Sequence, residues 1–359
     1  MKYPDKINKW IRPKYRAAAF FAVLLSLCML SYAGCGGSVQ RYTAAGTAMG
    51  TLIGQTIYTD RENLTDQVME RLEELEQNTL SWRVTGSEVE KINAAAGDGI
   101  IPLSDSMRAY LEVLLSVSQE SNGAFDMTVG PVVRLWNIDE WAAGGTEADS
   151  SAVELPAQEE IAEALARTGY ERLQLSKEGL LLPEGMSLDL GAVGKGIACD
   201  EIAALFDGIT QAGQGAIQGA VISVGGSILT YGQKPDGSPW QVAVVDPFDT
   251  AERAGVLSLS GQWCISTSGD YERYIEVDGV RYHHIMDPAT GYPADSGVRS
   301  VTVVCESGIL SDALSTACFV LGADEGMRLA QQYGAEALFI QADGTYLMTD
   351  GMKKIFVSK

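Results

Sequence analysis

The chain has 359 residues, with 47 acidic against 26 basic, a formal net charge of −21 and only two histidines. That balance excludes nucleic acid, whose phosphates need clustered cations, and a surface that adheres electrostatically to anionic lipid. With 46% apolar residues at this length, the chain can bury a sizeable core.

At the N-terminus Lys2, Lys6, Lys9, Arg12, Lys14 and Arg16 precede an apolar run from Ala17 to Leu30, which ends at Ala33-Gly34-Cys35. The run is about 14 residues, short of the roughly 20 that cross a bilayer, so residues 1–34 read as a secretory signal. Small residues before Cys35 fit cleavage and lipidation there, as in bacterial lipoproteins, although Tyr32 stands where such signals usually carry Leu. The expected location is the extracytoplasmic face of a bacterial cell membrane, with a lipid anchor at Cys35; an uncleaved anchor is the alternative. Removing residues 1–34 takes away six basic residues and Asp5, which brings the net charge to −26. Attachment must then rest on acyl chains, and stable anchoring takes more than one.

Residues 35–44, with Gly36-Gly37-Ser38, read as a lipidated tether, and 45–359 as the functional domain. Leu64, Val68, Leu72 and Leu75 recur at helical spacing within 62–81. A second helix spans about 104–122, with Ser104 as N-cap and Gly123 past its end. Residues 139–160 turn acidic and rich in Ala, Gly and Ser, and read as an exposed insertion. Further helices are predicted over 193–206, 311–321 and 324–333. Strands are predicted over 220–224, 241–246, 256–259, 299–305 and 337–341, with hairpins turning at Asp278-Gly279 and Asp343-Gly344. The mixture predicts an α+β fold, with largely antiparallel sheets and packed helices in two subdomains. Beyond the leader, Cys199, Cys264, Cys305 and Cys318 sit in apolar surroundings without a CxxC pair, which suits free buried thiols.

Three segments concentrate chemistry. Asp312 and Thr316 lie one turn apart in the helix predicted over 311–321, so carboxylate and hydroxyl project to one side. Oxygen donors of this kind suit Mg²⁺, with substrate phosphates filling the remaining positions; a helix cap by Ser311 or Asp312 explains the same residues. Asp189-Leu-Gly-Ala-Val-Gly-Lys195-Gly196 ends a strand and opens a helix. Its glycines permit close backbone approach, its helix start favours an anion and Lys195 adds a cation, yet a plain strand-to-helix turn fits equally. His283 and His284 precede the turn signature Asp287-Pro288-Ala-Thr290-Gly291. Alternation puts the two rings on opposite faces, so at most one points into a given site, where it could take a hydroxyl proton. A structural histidine remains the alternative.

Taken in order, the motifs resemble the ApbE-type FAD:protein FMN transferases, flavin transferase lipoproteins formerly called thiamine biosynthesis lipoproteins. The residues that carry the likeness are Ala48-Met49-Gly50-Thr51, Gly123-Ala124-Phe125-Asp126 with Thr128-Val-Gly-Pro131, Asp189-Leu-Gly-Ala192 with Gly194-Lys195-Gly196, and Val224-Gly-Gly226. They continue with Ser268-Gly-Asp-Tyr271, His284 with Asp287-Pro288 and Thr290-Gly-Tyr-Pro293, and Asp312-Ala-Leu-Ser-Thr-Ala317. No single motif decides; the ordered set does.

The resemblance implies an ApbE-like fold and a Mg²⁺-dependent transfer of FMN from FAD to a Ser or Thr hydroxyl of an extracytoplasmic protein, with release of AMP. By the same resemblance Asp312, Thr316, Ser315 and the Ala192 carbonyl look like metal ligands. Met49, Trp82, Ala124, Phe125, Asp126, Asp189, Lys195 and Met286 look like FAD contacts, and His284 like the base. Trp82 stands where the family often has Tyr, and a larger ring can still stack. Two other readings stay open: a Mg²⁺-dependent FAD pyrophosphatase with water as nucleophile, and a lipid-anchored flavin binder without turnover. Asp312, Thr316 and His284 together speak against the passive binder. No Asp-Gly-x-Thr-Gly-Ala-Thr acceptor pattern occurs in the chain, so self-modification is not expected.

Overall fold

The computed structural model describes residues 38–143, 154–213 and 215–359. Residues 1–34 and Cys35, with the expected signal and lipidation site, lie outside the described residues. Residues Gln40–Lys359 form one compact unit. Its centre is an eight-stranded sheet: β1 (Gln40–Ala48), β2 (Thr51–Thr59), β3 (Ile217–Val224), β4 (Ser227–Gly232), β5 (Trp263–Gly269), β6 (Val298–Cys305), β7 (Glu336–Gln341) and β8 (Tyr346–Met348). Spatial order follows chain order, and every neighbouring pair is antiparallel. Helices enter as insertions between strands. Of the five principal ones, α1 (Thr65–Leu75), α2 (Asp105–Glu120) and α3 (Gly194–Gln211) fall between β2 and β3, while α4 (Gly308–Leu321) and α5 (Ala323–Gln332) join β6 to β7. The fold is therefore α+β, with largely antiparallel sheets.

Period-two alternation sorts the central strands between two cores. Val301, Val303, Ala337 and Phe339 face the helices. Val304, Leu338, Ile340 and Ile265 face the opposite way, toward a hairpin of Trp240–Asp246 with Asp249–Leu259. A third cluster joins Trp136 and Ile161 to Ile275 and Met286. These three apolar cores lie inside one compact unit. Buried on both faces, β6 reads as a nearly continuous apolar run, Val-Thr-Val-Val-Cys.

Several local features differ from the sequence expectation. β1 begins at Gln40, inside the stretch read as tether, and pairs in register with β2 through a two-residue turn at Met49 (φ 54°) and Gly50 (φ 67°). Positive φ at both positions is the twist-matching hairpin geometry. Leu64, Val68, Leu72 and Leu75 are all buried, yet the α-helix gives way to a π turn over Glu76–Leu80. Part of the acidic stretch is helical, with Glu159 and Glu160 in the first turn of Gln158–Leu165; residues 144–153 lie outside the described residues. Cys199, Cys264, Cys305 and Cys318 are free and buried. Among the described residues no helix is long and apolar enough to cross a membrane.

Candidate functional site

The site is built where α3 and α4 meet the ends of β4 and β5. α4 starts at Gly308, three residues before the predicted start. Ser307 is its N-cap, its hydroxyl accepting from the Leu310 N–H at 3.5 Å. Asp312 therefore stands in the second turn and does not cap its own helix. That carboxylate is buried and accepts from two distant donors: the Gly196 N–H at 2.6 Å and the Ser227 hydroxyl at 2.7 Å. One turn on, the Ser315 hydroxyl lies 2.8 Å from that of Ser268, and Thr316 lies 3.5 Å from the same Ser268 oxygen. The Ala192 residue is exposed just before α3.

Close helix approach makes this corner possible. A Cβ on Gly196 would lie 2.0 Å from the Gly308 carbonyl oxygen, and a Cβ on Gly308 would lie 2.0 Å from that of Gly196. Only glycine fits at either position. Lys195 reaches toward the β3–β4 turn, where a Cβ on Gly226 would come 3.7 Å from its Nζ and 3.2 Å from Glu272 Oε1. Glu272 is open to solvent but crowded by protein on the other sides. Desolvation raises its carboxyl, while Lys195 and Arg273 oppose the shift. A concavity of about 420 Å³ opens beside them, lined by Gly225, Gly226, Thr267, Tyr271 and Glu272 over apolar walls of Ile228 and Val242. A second concavity, about 440 Å³ between α2 and residues 175–177, holds none of the candidate residues.

On the other side of Gly194, a Cβ at that glycine would lie 3.6 Å from Met49 Cε. Met49 is fixed in its turn by its own N–H, which donates to Glu76 Oε2 at 2.7 Å. The π turn carries the chain to Trp82, whose indole N–H donates to Asp189 Oδ2 at 3.0 Å. Arg83 and Arg134 lie over that ring at 4.2 and 5.4 Å. The other Asp189 oxygen accepts from the Gly191 N–H at 2.7 Å, and the Asp189 N–H donates to Met127 O at 2.8 Å. Through that backbone bond the Ala124-Phe125-Asp126 turn joins the 189 segment.

The carboxylate of Asp126 is engaged in its own fold. One oxygen accepts from the Thr128 N–H and hydroxyl, both at 2.7 Å, and the other from the Tyr170 N–H at 3.0 Å. Burial still raises its carboxyl against those three donors.

The two histidines divide as alternation requires. His283 is buried, with Nε2 2.9 Å from Ala294 O and Nδ1 accepting from the Ile285 N–H at 3.2 Å, and its ring meets Phe319 edge-on. Desolvation lowers it to about 4, so it is a neutral structural residue. His284 is partly exposed, with Nδ1 3.2 Å from Arg273 O. A carbonyl only accepts, so Nδ1 carries the hydrogen, and in the neutral ring Nε2 is the acceptor nitrogen. Met286 bridges to Pro293 and is buried in the third cluster.

The structure thus gathers Asp312, Ser315, Thr316 and Lys195 in one corner, and Met49, Trp82 and Asp189 beside it. No hydrogen bond described above links Ala124, Phe125 or Met286 directly to Asp312. Sequence reasoning placed Ser227, Ser268 and Glu272 in glycine-rich turns without giving them a role, and passed over Glu76 and Arg134. Among the described residues no group of three His, Cys, Asp or Glu could hold a metal ion. A cation here would draw on one carboxylate, hydroxyls, a carbonyl and ligand oxygens, the donor set of a hard ion.

The ApbE family model matches residues 49–339. A FAD:protein FMN transferase of Treponema pallidum (strain Nichols) is 33% identical over 354 residues, which cover 91% of this chain and 92% of that protein. Another, from Vibrio cholerae serotype O1, is 32% identical, covering 95% and 99%. Among solved structures, the ApbE protein of Thermotoga maritima superposes with a TM-score of 0.75 at 29% identity, covering 88% of this chain and 99% of its own. The apo flavinyl transferase ApbE of Pseudomonas stutzeri gives 0.73 at 28%, covering 89% and 98%. With a family match across most of its length and relatives above 30% identity over nearly all of it, the chain belongs to the ApbE family.

Proposed function

We propose that this protein is a FAD:protein FMN transferase that moves the FMN half of FAD onto a Ser or Thr hydroxyl of an extracytoplasmic acceptor protein, with Mg²⁺ and with release of AMP. The observation that carries the reading is the Asp312 corner, where a buried carboxylate, the Ser315 and Thr316 hydroxyls one turn on and Lys195 beside Gly196 are brought together by a close helix contact that only glycines permit. Asp312, Ser315, Thr316 and the Ala192 carbonyl would hold Mg²⁺, which when bound neutralises and polarises a diphosphate.

The chain's own residues supply the rest. Trp82, fixed to Asp189, offers an aromatic face for a ring of the dinucleotide. Lys195 meets phosphate charge as it develops in the transition state. His284 Nε2 takes the proton of the acceptor hydroxyl; the oxygen bonds to the FMN-side phosphorus, and the phosphoanhydride bond to AMP breaks with its electron pair leaving on AMP. Anchoring at the extracytoplasmic face of a bacterial membrane through Cys35 belongs to the same proposal and is supported by the leader sequence.

The test incubates residues 36–359 with FAD, Mg²⁺ and candidate acceptor proteins, following AMP and flavin fluorescence retained on denatured acceptor. AMP with matching label is expected. AMP without label on any acceptor would replace transfer by hydrolysis, and neither product would leave a passive binder.

A further inference from the structure

Two helix starts face each other in this site, and each is completed by a carboxylate from the other helix. The first N–H groups of a helix lack partners inside it. In α3, one of these, the Gly196 N–H, donates to Asp312 of α4 at 2.6 Å. In α4, the Gly308 and Ile309 N–H groups donate to Asp200 of α3 at 2.6 and 2.9 Å. Asp200 also accepts from the Ser307 hydroxyl at 3.2 Å. Asp200 is one turn after Gly196, and Asp312 is one turn after Gly308, so both carboxylates project from the touching faces. Between them lies the Gly196–Gly308 contact, too close for any side chain.

We propose that Asp200 is a positioning residue for the reaction, holding α4 in the register and rotation that aim Asp312 at the bound cation. The proposal rests on the reading of Asp312 as a metal ligand. Ser307 alone cannot do this, because, of the first-turn N–H groups, its hydroxyl accepts only that of Leu310, at 3.5 Å. Without Asp200 the Gly308 and Ile309 N–H groups lose their acceptor, the first turn of α4 loosens, and the Gly196–Asp312 bond loosens with it.

The experiment compares Asp200→Ala and Asp200→Asn with Ser104→Ala, which removes an ordinary cap whose hydroxyl accepts from the Met107 N–H at 3.1 Å on α2. Three quantities are measured: thermal midpoint, hydrogen exchange of the Gly196 amide in metal-free protein, and the Mg²⁺ concentration that half-saturates AMP release. All three variants lower the midpoint. In D200A, Gly196 exchange should quicken by about tenfold and half-saturating Mg²⁺ rise about fivefold, with turnover at saturating Mg²⁺ within about threefold of wild type. D200N should fall between, since its single amide oxygen can still accept. S104A should move neither the exchange nor the Mg²⁺ requirement. If D200A behaves like S104A, Asp200 is a structural cap and the proposal fails. If wild-type AMP release ignores Mg²⁺, the metal reading of Asp312 fails instead, and Gly196 exchange still decides whether Asp200 holds the two helices in register.

Discussion

Asp126 and Asp312 are both buried carboxylates in motifs of the same family, and the structure uses them differently. The donors to Asp126 are its own turn, two residues away, and the start of a short helical turn at Tyr170. Its oxygens close a loop. Asp312 instead takes donors 116 and 85 residues away, from a helix start and a strand end. Each of its oxygens has accepted one hydrogen and retains capacity for more, and its neighbours one turn on are hydroxyls. A carboxylate whose donors are its own turn and one neighbouring turn ties those two turns together; one bound across three separate segments has its direction fixed by the whole fold, which is what a ligand site requires.

The sharpest way to break this contrast is to delete both groups. Asp312→Ala should lower AMP release by at least about a hundredfold, and by orphaning the Gly196 N–H and the Ser227 hydroxyl it should also cost about 1–3 kcal/mol of stability. Asp126→Ala should lose about 1–3 kcal/mol of stability by orphaning three donors. Its turnover per folded molecule should stay within about tenfold of wild type. Loss of turnover without loss of stability in D126A would place both acids at the chemistry and erase the distinction.

Gly196→Ala sharpens the tertiary half of the comparison. The new Cβ would meet the Gly308 backbone oxygen at 2.0 Å, with no side chain able to rotate away. Overpacking of this kind costs about 1–3 kcal/mol. Pushing α3 from α4 should also cut turnover about tenfold, by the loss of alignment at Asp312. Thermal unfolding and steady-state AMP release measure the two effects, and an unchanged turnover would show that Asp312 does not depend on this contact.

The smallest effect on turnover is expected at His283. Burial lowers its proton affinity to about 4, against about 6.5 in an unfolded chain. The unfolded state therefore binds the extra proton first, so the stability contributed by neutral His283 is complete above about pH 6.5 and is lost as pH falls through about 4, by up to about 3 kcal/mol. His283→Gln should flatten that acid limb in urea unfolding at pH 7 and 4.5, with AMP release at pH 7 near wild type. A pH dependence identical to wild type would mean that His283 titrates normally in the folded protein.

Local physics made much of the fold legible. Leu64, Val68, Leu72 and Leu75 announced α1 because a 3.6-residue period puts them on one buried stripe. The Asp278-Gly279 turn was readable because both residues adopt positive φ, 51° and 78°, between short paired strands. The β1–β2 hairpin was not: β1 is a sheet edge, half exposed and built from Thr, Ala and Gly, and its turn is Met49-Gly50, which carries no strong turn signature. The π turn after α1 was missed because it depends on packing rather than on periodicity.

In the site, residue chemistry picked out Asp312, Thr316, Lys195 and the His283-His284 pair, since a carboxylate and hydroxyl one turn apart and a pair of sole histidines are visible in any unfolded string, while the choice of His284 came from the family resemblance. The sequence by itself determined the donor types, the helical and strand periods and the glycines that allow close approach. Only the tertiary structure decided that Ser227 and Gly196 would bind Asp312, that Asp200 would cap α4, and that His283 would be spent on Ala294 while His284 stayed near the surface. Hydrogen-bond partners a hundred residues apart leave no local trace, because their pairing follows from where the sheet and the helix crossing bring the backbone.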